Sequence, residues 1–514
     1  MPVLDILMLS FCSGVWAETS CGRKKVTIIR TAKRLDNIVD FSANHGRVNS
    51  LGVSLMNSRL RCQTERNRCS FLTDEIWRAL PLTHLAVRLD LAKILPRAWC
   101  GCVCLNQLLV SSRIRRNIFM SRQYRYISGD SHLEIDSKHW LPRVPERYRD
   151  QAPRLVRQAD GGDIWAIGDK IKRPAAAADL YGGKGRDQYL PFDAKYDGTP
   201  GTGSAAQRIS EQDRDGIDAE VLFPSQQGGP KFWRRVEDND AYRAIVRAYN
   251  SWLIEEYCAT DPERLIGVGI LPLACDLRSV IEEMEYCSKA GFKTVLLQGF
   301  PSGNAYPSEA DDAFWLRALE LNMPVSVHVD LDRADNRKGP LFKYPNESEE
   351  LMKKLTHELV EQCSRFGPAR GNGAVAAMQW TLSGLFERLP SVKIFFAENQ
   401  IGWVPFYLQA GDVRYDRHRR WSERLLGFKP LKRPPSEYIR EHCLWGFQFD
   451  PVGVELRHKI GVDKLMWGSD FPHQESDWPE SLKIIEKNFA GVPEPEKYRM
   501  VCGNAVEFFH LGNQ

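Results

Sequence analysis

From Tyr126 to Leu511 the chain repeats one pattern. A short apolar run rich in β-branched and aromatic residues is followed by a longer stretch whose apolar positions recur every three or four residues. The first reads as a buried strand and the second as an amphipathic helix. Eight runs qualify: Tyr126–Glu134, Ala219–Ser225, Leu265–Leu273, Lys293–Gly299, Pro324–Asp330, Val392–Asn399, Leu444–Asp450 and Lys464–Asp470. Helical spacing fills most of the gaps, over Asp238–Cys258, Leu277–Ala290, Asp311–Leu321, Ser348–Cys363, Ala374–Arg388 and Trp403–Leu425, and Tyr498–Leu511 closes the chain. Strands that alternate with helices are joined by crossovers, so they run parallel and are covered on both faces. Eight such units predict an α/β fold, a (β/α)8 TIM barrel with inserted loops and helices.

Two intervals are too long for simple crossovers. Residues 136–218 part the first two runs and are rich in Gly, Asp, Lys and Pro; Gly182–Gly185 and Gly198–Gly203 read as loop. Residues 331–391 add a charged loop and two helices. Long loops on the ligand face of a barrel commonly act as lids.

Residues 1–119 differ in kind. They carry 18 Lys and Arg against 8 Asp and Glu, whereas residues 120–514 carry 52 against 58. Seven of the thirteen cysteines lie there, including Cys100, Cys102 and Cys104, without the spacing of a zinc finger. Basic runs invite nucleic acid, but no aromatic interleaving accompanies these, and no nucleic-acid partner is expected. Met1–Ala17 is a poor secretory signal, with Asp5 inside its apolar stretch and no basic start. The expectation is a basic, Cys-rich extension, disordered or outside the working fold, with the barrel beginning at Met120. The other six cysteines are scattered singly with no CxxC, which favours reduced thiols. No apolar run reaches the ~18 residues of a membrane span, so no membrane partner is expected either.

The C-terminal ends of parallel strands open onto the ligand face of a barrel, so polar groups that break an apolar strand there are candidate site residues. In Lys464–His473 the apolar Leu465-Met-Trp467 gives way to Asp470 and, across a Phe-Pro turn, to His473. The first run ends Gly129-Asp-Ser-His-Leu-Glu134, whose Asp130, His132 and Glu134 alternate and so share a face. The fifth run carries His328, the sixth ends at Glu398 and Asn399, and the seventh ends at Asp450. A single histidine at a strand end is commonly satisfied by a local hydrogen bond. Imidazoles and carboxylates converging in an apolar throat need a shared partner, and a divalent cation supplies one. Such mixed ligands suit Zn, Mn or Fe.

Asp-x-His132-x-Glu134 at the first strand, Pro-Val-Ser-Val-His328 at the fifth and Gly-Ser-Asp470-Phe-Pro-His473 at the eighth resemble the amidohydrolase-related family, which contains aminocarboxymuconate-semialdehyde decarboxylase and other metal-dependent non-oxidative decarboxylases. The likeness covers essentially residues 125–512, including Asp261–Gly267 and Glu398–Pro405. It implies that His132, Glu134, His328 and Asp470 surround one divalent metal ion. Glu134 stands where many members have a second His. Where many members place a catalytic His at strand six, this chain has Glu398 and Asn399, so Glu398 or His473 is the candidate replacement, beside Asp470 as proton carrier. The resemblance also implies a cytoplasmic homodimer acting on a small-molecule substrate.

One such site suits two chemistries. In hydrolysis, a metal-bound water whose pKa is lowered to ~7 attacks an ester, lactone or amide carbonyl, and Asp470 takes its proton. In non-oxidative decarboxylation of an aromatic or muconate-like acid, Asp470 or His473 delivers the proton that replaces CO2, with Arg186 or Tyr189 of the first insertion holding the carboxylate. Hydrolysis ranks first on the sequence, decarboxylation second, and an inactive barrel used as a binding module third.

Overall fold

All eight apolar runs become strands, in the expected order: β1 Ile127–Leu133, β2 Ala219–Pro224, β3 Leu265–Ile270, β4 Thr294–Leu296, β5 Val325–His328, β6 Ile394–Ala397, β7 Cys443–Phe447 and β8 Leu465–Trp467. Each is buried along its whole length. The structure is a computed structural model. It describes residues 15–20, 25–32, 35–44, 47–49 and 122–512, except 160, 175–179, 183, 185–186, 188–193, 197, 274, 330, 332–340, 355–356 and 365–372.

The strands pair in parallel in sequence order from β1 to β8. The seam between β8 and β1 is closed by the backbone just beyond β8. Asp470 N–H donates to the Asp130 carbonyl at 2.9 Å, and His132 N–H to the Phe471 carbonyl at 2.7 Å. The ladder that closes the barrel is therefore made by the residues that carry its chemistry. On its other edge, against β2, β1 bulges, since Ser128 pairs with Glu220 and Ser131 with Leu222, so that two intervening residues oppose one. Gly129 makes the approach of β8 possible, because a Cβ there would sit 2.5 Å from Met466 Sδ.

Most strands end earlier than the apolar pattern predicts. Val329, Glu398 and Asp470, just past β5, β6 and β8, have φ of 55°, 52° and 56°. The left-handed region is uncommon for any residue with a Cβ and an outlier for a β-branched one. Three such turns around one mouth terminate the pairing and re-aim the polar residues, a strain that clusters at functional sites.

Helices lie between the strands, with breaks that the periodicity does not reveal. The predicted Ala374–Arg388 helix is two, Gly373–Leu382 and Leu385–Arg388, parted at Gly384 with φ 74°. Ser348–Cys363 likewise divides into Glu349–Lys354 and Leu359–Ser364. The first insertion holds more than loop: an antiparallel sheet of Arg154–Arg157, Asp163–Ile167 and Ile171–Pro174, then a helix, Ala205–Asp215. Ser204 caps that helix by accepting from Gln207 N–H.

From this helix Arg208 reaches under the site. It is fully buried, pairs with Glu220 of β2 (Nε–Oε2 2.6 Å), and donates to the His132 carbonyl at 3.0 Å and the Phe471 carbonyl at 3.2 Å. Removing one partner of a buried ion pair strands the other charge, at a cost of roughly 3–5 kcal/mol. Arg208→Met is therefore expected to lower the unfolding free energy by about that amount in urea titration. Adding Glu220→Gln should recover part of the loss. An unchanged midpoint in the single variant would remove Arg208 from this role.

The chain divides into two units, Met1–Phe119 and Met120–Gln514. In the first, the described residues form an antiparallel sheet of Val15–Ser20, Lys25–Ala32, Leu35–Asn44 and Arg47–Asn49. The sequence pattern there lacks a sustained period, yet Val26, Thr27, Ile28, Ile29 and Thr31 are all β-branched, which suits a strand. Among the described residues, no helix is long and apolar enough to cross a membrane.

Candidate metal centre

The C-terminal mouth of the barrel gathers Asp130 and His132 from β1, His328 from β5 and Asp470 from the turn after β8. One ligand atom from each lies within 4.8 Å of the others. His132 Nε2 is 3.3 Å from Asp470 Oδ1 and 3.8 Å from Asp130 Oδ1; His328 Nε2 is 3.4 Å from Asp130 Oδ1. The two imidazoles meet edge to face, ring centroids 4.5 Å apart.

These atoms are poised for a cation. Both oxygens of Asp130, both of Asp470 and His132 Nε2 are buried with no hydrogen-bond partner. Buried acceptors left in that state are costly, and nearly all in native proteins are satisfied. The tautomer of His132 follows from its other nitrogen. Nδ1 lies 3.1 Å from the Pro224 carbonyl, which can only accept, so Nδ1 carries the proton and Nε2 turns its lone pair into the cluster. Burial, with His473 and His328 adding, pushes the His132 pKa down to about 4, so the ring is neutral, as a ligand must be. Burial, with Asp470 nearby, pushes Asp130 up to about 7, the mark of two carboxylates sharing one space. Burial also works against the charge of Asp470, but the neighbouring imidazoles, His473 first and then His132, outweigh it and hold this carboxyl below the usual range. Two carboxylates and two imidazoles fit a divalent ion of borderline or hard character.

Glu134 departs from the expectation that it shares an ion with His132, His328 and Asp470. It falls in a second group, with His132 and His473. Its Oε1 faces His473 Nε2 at 3.1 Å and its Oε2 accepts from the Tyr196 hydroxyl at 2.7 Å. The reason is local. Glu134 lies past the end of β1, where the alternation that keeps Asp130 and His132 on one face no longer applies.

Glu398 sits at the lip, its Oε2 3.5 Å from His328 Nε2 and accepting from Gln226 Nε2 at 3.3 Å. Burial, then the charges of Asp470 and Asp130, push its pKa well above the carboxylate range. Asn399 turns away, donating to the Ala397 and Val329 carbonyls. Asp450 is structural, since it caps the helix Pro451–Glu455 through Gly453 N–H and accepts from Ile401 and Gly402 N–H. His473 stacks on His132, centroids 3.7 Å apart, with Nδ1 3.4 Å from Asp470 Oδ1. Arg186 and Tyr189 lie outside the described residues. Sequence reasoning missed Tyr196, Gln226 and Arg208, since a polar residue in an insertion or crossover carries no periodic signal.

A family model described as Amidohydrolase matches residues 135–511. The chain is 25% identical over 316 residues to 2-amino-3-carboxymuconate-6-semialdehyde decarboxylase of Dictyostelium discoideum, covering 59% of this chain and 76% of that protein. It is 23% identical over 327 residues to gamma-resorcylate decarboxylase of Rhodococcus jostii, covering 59% and 87%. The crystal structure of an amidohydrolase from Mycobacterium avium subsp. paratuberculosis superposes with a TM-score of 0.55 at 20% identity, over 76% of this chain and 100% of that one, a likeness of fold. With the matched span running from the end of β1 to the last helix, and a buried set of cation acceptors at the barrel mouth, the chain belongs to the amidohydrolase family and is a metal-dependent enzyme, hydrolase or carboxy-lyase.

Proposed function

We propose that this enzyme removes CO2 from a small aromatic or muconate-like carboxylic acid. The observation that carries the reading is that both relatives above, matched over 76% and 87% of their own lengths, are named as decarboxylases of such acids. It reverses the order the sequence suggests, in which hydrolysis stands first. In this reading Asp130, His132, His328 and Asp470 hold the ion, Asp130 taking the place the sequence assigns to Glu134. When bound, the ion supplies a fixed positive charge that suits a substrate carboxylate, and Zn, Mn and Fe all match the donors.

The residues around the centre divide the remaining work. Asp470 is held ionised and serves as a ligand rather than an acid. Glu398 is the carboxyl a substrate can reach, with a side chain 20% exposed against 1% for Asp130 and Asp470. Gln226 donates to its Oε2, which leaves Oε1 to carry a proton. As the bond to the carboxyl carbon breaks, its electron pair stays on the ring or chain carbon. Glu398 gives that carbon a proton, CO2 departs, and water restores the acid. The activity is assigned to residues 120–514. Their six cysteines are buried free thiols, in keeping with a cytoplasmic setting; a homodimer follows from the family resemblance alone.

The test is substrate turnover by metal-loaded protein. Gamma-resorcylate and 2-amino-3-carboxymuconate-6-semialdehyde are offered beside aryl esters and lactones, and released CO2 is measured. Acid-dependent CO2, matched by product, is expected. Ester or lactone cleavage with no CO2 from any acid would return hydrolysis to first place.

A further inference from the structure

Glu134, His473 and Tyr196 form a connected chain beside the metal centre that the reaction above leaves unused. All three are buried. Glu134 accepts from the Tyr196 hydroxyl through one oxygen and meets His473 Nε2 through the other; His473 in turn presents Nδ1 to Asp470 Oδ1 while its ring lies flat on His132, 19° from parallel. Tyr196 is itself anchored in the first insertion. Its backbone N–H donates to Asp163 Oδ2 at 2.7 Å, and its hydroxyl receives Trp165 Nε1 at 3.4 Å. Asp163 and Trp165 belong to the central strand of the insertion's sheet. The same insertion meets the turn after β8, where Tyr181 and Gly182 N–H both donate to the Pro472 carbonyl.

We infer that Glu134 and Tyr196 are positioning residues: together they clamp the His473 imidazole against Asp470 and His132, so that the insertion fixes one wall of the metal centre. The competing reading of this geometry is a second ion held by His132, Glu134 and His473, whose ligand atoms also lie close together. The bonds already made argue against it. His132 Nδ1 is committed to the Pro224 carbonyl and its Nε2 faces Asp130 and Asp470. Both Glu134 oxygens have partners, unlike those of Asp130 and Asp470. A carboxylate with both oxygens engaged orients its neighbour, the usual work of groups one layer out from a metal.

Cobalt(II) and zinc separate the readings without a known substrate. Wild type, Glu134→Gln and Tyr196→Phe are each titrated with cobalt(II), and their side-chain histidine nitrogens are recorded by long-range 1H–15N correlation in the zinc-loaded protein, with His473→Gln identifying the His473 signal. The clamp predicts one equivalent of cobalt in all three proteins and the same d–d absorption. It also predicts a displaced His473 resonance, with faster solvent exchange of its ring proton, in both variants. A second equivalent bound by wild type and lost in Glu134→Gln overturns the inference, as does an altered absorption in that variant or a His473 signal that stays put. Tyr196→Phe removes one hydroxyl only, so it carries the test alone if Glu134→Gln fails to fold.

Discussion

Replacing His132 by alanine is expected to leave a folded barrel that retains no stoichiometric metal and turns over roughly 1,000-fold more slowly, about 4 kcal/mol of lost transition-state stabilisation. The size of the effect follows from where this imidazole stands. Its Nε2 is the acceptor that faces both Asp130 and Asp470, at 3.8 and 3.3 Å, and its tautomer is set by the Pro224 carbonyl. Without the ring, two buried carboxylates confront each other and His328 with one neutral donor fewer. The ring also supports the stack under His473, so the variant disturbs both groups at the mouth at once. Elemental analysis after gel filtration reads the metal directly, and turnover at saturating added metal separates weakened affinity from lost catalysis. Lys393→Met is the control. Lys393 lies just before β6 and donates to the Glu441 carbonyl, far along the strand from the mouth, so its loss should leave metal content unchanged. A His132→Ala protein that still carries one equivalent of metal and full activity would dissolve the assignment of the site.

The barrel was largely legible in the sequence because burial on both faces leaves a near-continuous apolar strand, and Leu465-Met-Trp467 or Ile394-Phe-Phe-Ala397 admit few other readings. Where the strands stop was less legible. Val329, Glu398 and Asp470 turn into the left-handed region, which residue type favours only at Asp470, so the stops at Val329 and Glu398 have no local signal. The site divided along the same line. His132, His328 and Asp470 are within or just beyond a strand whose register the pattern fixes, and one ligand atom from each lies within 4.8 Å of the others. Asp130 and Glu134 flank His132 two residues to either side, and alternation alone gives both the same face. Asp130 stays at the seam, its carbonyl accepting from Asp470 N–H, while Glu134 leaves the strand and joins Tyr196, a residue 62 positions away. Long-range hydrogen bonding of that kind leaves no trace in a local pattern. The sheet and helix within residues 136–218 were missed for a related reason. Their Gly, Asp, Lys and Pro content reads as loop, and their order depends on contacts to the turn after β8 and to Glu220.

Glu398→Gln is expected to lower kcat by roughly 100- to 10,000-fold, the range for loss of a general acid, with KM little changed and one equivalent of metal retained. Glutamine keeps the volume of the side chain and an oxygen to accept from Gln226, but it has no acidic proton to give to carbon. The prediction discriminates because Glu398 lies near His328 without belonging to the cluster of acceptors that suits the ion. If Glu398 were a ligand, the substitution would lower metal content in step with activity; if it were only a wall of the site, KM would rise while kcat held. Loss of kcat alone, at full metal occupancy, is the pattern that belongs to the proton donor. It would also account for Glu398 at the end of strand six, where the family resemblance implies a catalytic histidine, since burial beside Asp470 and Asp130 lets a carboxyl keep its proton there. Should kcat hold, the proton must come from the His473 side of the centre, and His473→Gln would then produce the larger fall.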